Sequence, residues 1–121
     1  IKEAIRNYLI KRINEEFTRF VGRVVVENGS GFDYLQRSEV DFESRVRIVL
    51  EKRLLPWAIL RRDEVIFTTG FVEELKAITG DIGGLKSVAE LLGWEYGVVK
   101  VSKKSIRGAR ISLRDFIDFL S

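Results

Sequence analysis

The 121-residue chain contains no cysteine, no histidine and no methionine, and it has a single proline. Without Cys or His there is no zinc finger, no iron–sulfur cluster, no Ser-His-Asp triad and no thiol nucleophile. Disulfides are excluded as well, which suits a cytoplasmic protein. No apolar run approaches the roughly 20 residues that span a bilayer, so no membrane partner is expected. The amphipathic start Ile1-Lys2-Glu3-Ala4 is not a signal peptide. The first residue is Ile1 rather than Met, so the chain reads as a trimmed form or a piece of a longer protein.

What is present is apolar substance and charge. At 45% hydrophobic the chain can bury a core, and at 32% charged it exceeds the usual quarter. Rich in charge and poor in thermolabile residues, it has the balance of proteins from heat-loving organisms. The net charge of +3 hides an asymmetry. Between Tyr96 and Arg114 stand six cations (Lys100, Lys103, Lys104, Arg107, Arg110 and Arg114) and no acid, so the remainder sums to −3.

Hydrophobic spacing predicts an α+β fold, mainly helical. Residues 1–21 form a helix with Ile1, Ile5, Tyr8, Leu9, Ile13, Phe17, Phe20 and Val21 on one stripe, ended by Gly22. Arg23–Glu27 then reads as a strand and Asn28–Gly31 as a turn, while 32–40 is either loop or helical turn. Asp41 is placed as the N-cap of a second helix bearing Phe42, Val46, Val49, Leu50 and Leu54, stopped by Pro56. Trp57–Leu60 and Val65–Thr69 are two short strands or an extended link around Arg61-Arg62-Asp63-Glu64, a turn suited to local ion pairing.

A third helix over 70–78 buries Phe71, Val72, Leu75 and Ile78, and Gly80 breaks it. A fourth over 83–92 buries Leu85, Val88, Ala89 and Leu92 before Gly93. Strands at 96–102 and 109–113 flank a turn at 103–108, and Ser112 caps a last helix that turns Phe116, Ile117, Phe119 and Leu120 inward. The division that follows is a helical N-terminal lobe, 1–56, and a C-terminal unit, 57–121, which can also close into one compact domain.

From Val65 onward the order is strand, helix, glycine break, helix and basic hairpin. Two helices joined by a short Gly-containing turn form a helix-turn-helix, whose second helix can enter a major groove. Lys100, Lys103, Lys104, Arg107 and Arg110 on the hairpin can neutralise phosphates, and Arg114 extends the run. The outward face of the second helix offers Lys86, Ser87 and Glu90, a sparse set for reading bases.

The stretches VIFTTGFVEELKAITG, GGLKSVAELLGWEYGVVKV and KKSIRGARISLRDFIDFL resemble the winged helix-turn-helix domains at the C-terminal ends of replication proteins, of primase–helicase type, carried by archaeal plasmids and viruses. The resemblance covers residues 65–120 and rests on pattern rather than on an invariant motif; residues 1–56 have no counterpart in it. It implies that the second helix and the wing touch DNA, here through Lys86, Ser87, Lys100, Lys103, Lys104, Arg107 and Arg110.

The expected function is therefore non-catalytic binding of DNA (duplex, single-stranded or primer–template), with no cofactor and no metal. The setting would be a DNA replication protein or an accessory subunit that touches other replication subunits. A winged-helix transcription regulator and a protein–protein docking module are the alternatives. A plain solvated hairpin also accounts for the basic run, although charged surfaces of that kind usually alternate in sign. Trp57 and Trp94 sit beside apolar neighbours and read as core rather than as base-stacking platforms. Asp33, Glu39, Asp41 and Glu43 are a candidate Mg²⁺ nuclease set, but acids before a helix also favour its dipole. Gly80, Gly83 and Gly84 lack the Gly-Lys-Ser/Thr of a phosphate loop.

Overall fold

The computed structural model describes residues 1–28 and 40–121, with 25–28 given by their backbone. The fold is α+β and mainly helical. In chain order come α1 (Lys2–Asn28), α2 (Phe42–Glu51), β1 (Ala58–Arg61), β2 (Glu64–Phe67), α3 (Thr69–Thr79), α4 (Leu85–Leu92), β3 (Glu95–Val101), β4 (Lys104–Ser112) and α5 (Leu113–Leu120). Of the turn expected at 28–31, Asn28 is the last residue of α1; residues 29–31 and the segment 32–39 lie outside the described residues.

The first helix is longer than its sequence pattern predicts. Ile5, Leu9, Ile13, Phe17 and Val21, each four residues on, are all buried, while Ile1 at the frayed start stays exposed. Gly22 does not stop α1, and the segment 23–27, expected as a strand, is helical. A single interior glycine costs a helix only about 1 kcal/mol, and Gly22 lies on the exposed side with nothing pressing on it.

The second helix begins at its expected cap: the Asp41 carboxylate accepts the Ser44 amide at 2.8 Å. It ends at Glu51, before Pro56, where Arg53 takes a positive φ of 57°. α3 turns Phe71, Val72 and Leu75 inward but leaves Ile78, expected in the core, 42% exposed. α4 starts at Leu85 rather than at 83, and Gly93 closes it in the left-handed conformation. Ser112 caps α5 by accepting the Asp115 amide at 3.1 Å.

One hydrophobic cluster joins both halves, from Ile5 on α1 to Leu120 on α5. Its centre is aromatic, with Phe67, Phe71, Trp94 and Phe116 ring to ring at 4.8–6.3 Å. Polar stitches cross the Pro56 seam. Arg12 of α1 pairs with Glu16 at 2.7 Å and with Glu74 of α3 at 3.4 Å, and Glu74 also accepts the Trp57 indole N–H at 3.1 Å. Burial beside this group raises the Tyr8 phenol above its ordinary pKa. Arg6 donates to the Phe119 and Leu120 carbonyls, both at 3.2 Å, satisfying the open end of α5.

The four strands form one antiparallel sheet in the order β1-β2-β4-β3. Partners directly opposite share a face. Ala58, Val65, Phe67 and Ala109 therefore line the side covered by the helices, while Ile59, Ile66, Val99 and Ile106 share the other. Ile66 and Val99 on that outer side are nonetheless buried, although neither belongs to the main cluster.

Their cover is the β3–β4 hairpin itself, which runs past β2 and bends over it. The bend falls where Gly97 stands opposite Gly108, a position at which any Cβ on Gly108 would meet Ile66 Cγ2 at 2.7 Å. The Arg61 guanidinium at the end of β1 donates to the Lys100 carbonyl and fastens the bent hairpin to the opposite sheet edge.

Candidate nucleic-acid interface

β-Branched residues at 98, 99 and 101 suit the hairpin to strand, and its turn is tight. Val101 pairs with Lys104, so only Ser102 and Lys103 lie between the strands. Both take positive φ, 50° and 69°, the pattern of a type I′ turn. The six-residue turn expected at 103–108 is therefore replaced by a two-residue one, and β4 starts at Lys104 rather than at Ala109.

This register decides where the cations point. Arg107 stands opposite Val98 and Lys100 opposite Ser105, so Lys100, Val98 and Arg107 share the face turned away from the β1–β2 hairpin. All three are exposed, Val98 at 62%. Lys103 is exposed at the tip, and Lys104 is exposed on the opposite face of the ribbon. None of these four cations has a carboxylate partner among the described residues.

Arg110 belongs elsewhere. It stands directly opposite Glu95 and pairs with it at 2.7 Å, reaching Glu64 at 4.0 Å on its other side. Glu64 in turn holds Arg61 at 3.4 Å, so Arg61, Glu64, Arg110 and Glu95 alternate in sign across all four strands. Arg110 is thus ion-paired within the sheet, unlike the four cations nearer the turn. The sequence reading missed this because Glu95 lies one residue outside the acid-free segment and becomes a neighbour only through the strand register. Arg114, exposed on the first turn of α5, stands apart from the hairpin.

Lys86 and Ser87 are exposed on α4 next to Glu90 and Leu91. Trp57 and Trp94 are core residues, at 3% and 8% exposure, and Tyr96 is half-buried. The site residue that sequence reasoning passed over is Val98. Its parity with Lys100 was legible, but its outward orientation depended on the turn position.

The carboxylates offer no metal centre among the described residues. Asp41 is committed to capping α2, and the Ser44 amide holds its carboxyl below the ordinary range; Asp33 and Glu39 lie outside the described residues. A cleft of ≈ 540 Å³ opens at the far end of the sheet, between Trp94, Phe119, Glu64, Glu95 and Asp115. Its rim carries three carboxylates and Arg110, whereas Lys100, Lys103, Lys104 and Arg107 gather at the hairpin. Among the described residues no helix is long and apolar enough to cross a membrane. Comparison with protein-family models, curated proteins and solved structures returns no match for the chain.

Proposed function

We propose that the protein binds nucleic acid without catalysing a reaction on it, using the β3–β4 hairpin as an electrostatic anchor. One observation carries this reading: Lys100, Lys103, Lys104 and Arg107 crowd a single ribbon with no carboxylate to neutralise them among the described residues. Elsewhere exposed cations either pair, as Lys11 with Glu15 and Lys76 with Glu73, or, as with Arg47, Lys52, Arg53 and Arg62, have an acid within four residues in the sequence, which none of the four hairpin cations has. Four uncompensated cations on one projection create a positive field that a phosphate backbone relieves by releasing its counterions.

The element order supports a winged-helix arrangement. β4 returns from the hairpin to pair with β2, which brackets the helix pair α3 and α4 between them. Within that arrangement the protein serves as a domain or accessory subunit of a DNA replication apparatus, the setting implied by its resemblance to replication-protein winged helices.

Fluorescence anisotropy against single-stranded, duplex and primer–template oligonucleotides at two salt concentrations tests the reading. Replacing Lys103, Lys104 and Arg107 together with alanine should weaken binding and reduce the log–log salt slope by about one unit per lost phosphate contact. A triple variant that binds like wild type at every salt concentration refutes the hairpin as anchor.

A further inference from the structure

We infer that the preferred partner is a DNA duplex and that the β3–β4 ribbon, not α4, enters its major groove, with Val98 set against the thymine methyl groups on the groove floor. This rests on the nucleic-acid-binding proposal and adds to it the strandedness, the groove and the contacting side chain.

Strandedness follows from where the aromatic rings are. Proteins that hold single strands stack bases on exposed Phe, Tyr or Trp. Among the described residues every aromatic side chain is buried or half-buried, and the one nearest the hairpin's outer face, Tyr96, stands opposite the fully buried Ala109. The ribbon presents cations and an aliphatic side chain, which fit a backbone and a groove rather than an unstacked base.

The entering element follows from charge. On α4 the exposed Lys86 has Glu90 one turn on, so its outward face is close to neutral, and the helix has only 8 residues. Beyond the Gly97–Gly108 pair, residues 98–107 of the ribbon hold four cations and no acid. A B-form major groove, about 12 Å wide, admits a two-stranded ribbon as readily as a helix.

The ribbon is also held in place. It bends at the Gly97–Gly108 pair, rests on Ile66, and is fastened where Arg61 takes the Lys100 carbonyl. Its outer face therefore projects without first having to be ordered, which lowers the entropic cost of binding.

On that face Val98 lies directly opposite Arg107 and two positions from Lys100. The two cations reach the phosphates while the valine, 62% exposed in the free protein, touches apolar surface in the groove. The C5-methyl of thymine is the apolar group a major groove displays; the minor groove shows none.

The test compares alternating A–T duplexes with the same duplexes carrying uracil, titrated with wild type, Val98→Ala and Lys86→Ala/Ser87→Ala. Wild type should prefer the thymine duplex by about fourfold, the worth of burying one methyl group, and Val98→Ala should bind both alike. Val98 is exposed, so its variant keeps the fold, as a guanidinium melt will verify. Equal wild-type affinity for the two duplexes overturns the inference. So does single-stranded DNA bound as tightly as duplex, or a larger loss from the α4 variant than from Val98→Ala. In each of those cases nucleic-acid binding itself stands, whereas no binding to any oligonucleotide refutes both readings.

Discussion

Gly108→Ala gives the sharpest test of the bent hairpin. The added methyl would lie 2.7 Å from Ile66 Cγ2 and 3.3 Å from the Phe67 carbonyl oxygen. Ile66 is fully buried, and the oxygen belongs to the backbone of a central strand, so neither neighbour can yield freely. Forcing one methyl into so close a contact costs about 1–3 kcal/mol, by the general experience of overpacked cores. The control sits directly across the ladder: Gly97 has nothing within 4 Å, so Gly97→Ala should be neutral or slightly stabilising.

Guanidinium denaturation followed by tryptophan fluorescence reads the difference. At an m-value near 4 kcal/mol/M, Gly108→Ala should lower the midpoint by roughly 0.3–0.8 M. In an Ile66→Ala background, where the clashing methyl is gone, the same substitution should cost less, a coupling expected of residues in contact. If Gly108→Ala and Gly97→Ala melt together, the hairpin does not press on Ile66 and the argument for a held ribbon fails.

Glu74→Ala should cost about 1–3 kcal/mol in chemical denaturation, because it strands the buried indole N–H of Trp57; Glu74→Gln, which keeps an acceptor oxygen, should recover part of that. Asp41→Ala should destabilise the fold at neutral pH. The Asp41 carboxyl is depressed by the Ser44 amide, so its contribution is present above the ordinary Asp pKa of about 4 and fades as pH falls through the lowered value. Wild type and Asp41→Ala should thus converge in acid, and a gap that widens there would contradict the cap. Arg61→Ala should leave helical content unchanged by circular dichroism while speeding amide hydrogen exchange in residues 98–107, since Arg61 fastens the hairpin at Lys100.

Local chemistry wrote much of this fold legibly into the sequence. Asp41 and Ser112 announce the starts of α2 and α5, and both carboxylate and hydroxyl do accept the amide three residues on. The 3–4 spacing of Leu85, Val88, Ala89 and Leu92 identifies α4 and its buried face. Three features were hidden, each for a physical reason. Gly22 followed by a run of valines has the local preferences of a break and a strand, but Val21 extends the buried stripe and tertiary packing overrides propensity.

The hairpin turn was hidden because Ser102 and Lys103 adopt positive φ without the Asn-Gly or Gly signals that usually mark it, whereas Gly108 attracted the prediction. The two-residue turn at Ser102 and Lys103 sets the register, and with it the outward placement of Val98. Arg110 looked like one more free cation because its partners, Glu64 and Glu95, become neighbours only when the sheet forms. The candidate site was thus legible as a basic segment but not as a face.

α1 is 27 residues long, about 40 Å of continuous helix, and α2, α3 and α5 all rest on it. Helices from both ends of the chain therefore share one support, and neither half can loosen without baring apolar surface on the other. Heating should accordingly melt the protein in one step, with calorimetric and van't Hoff enthalpies equal, instead of shedding an N-terminal lobe first.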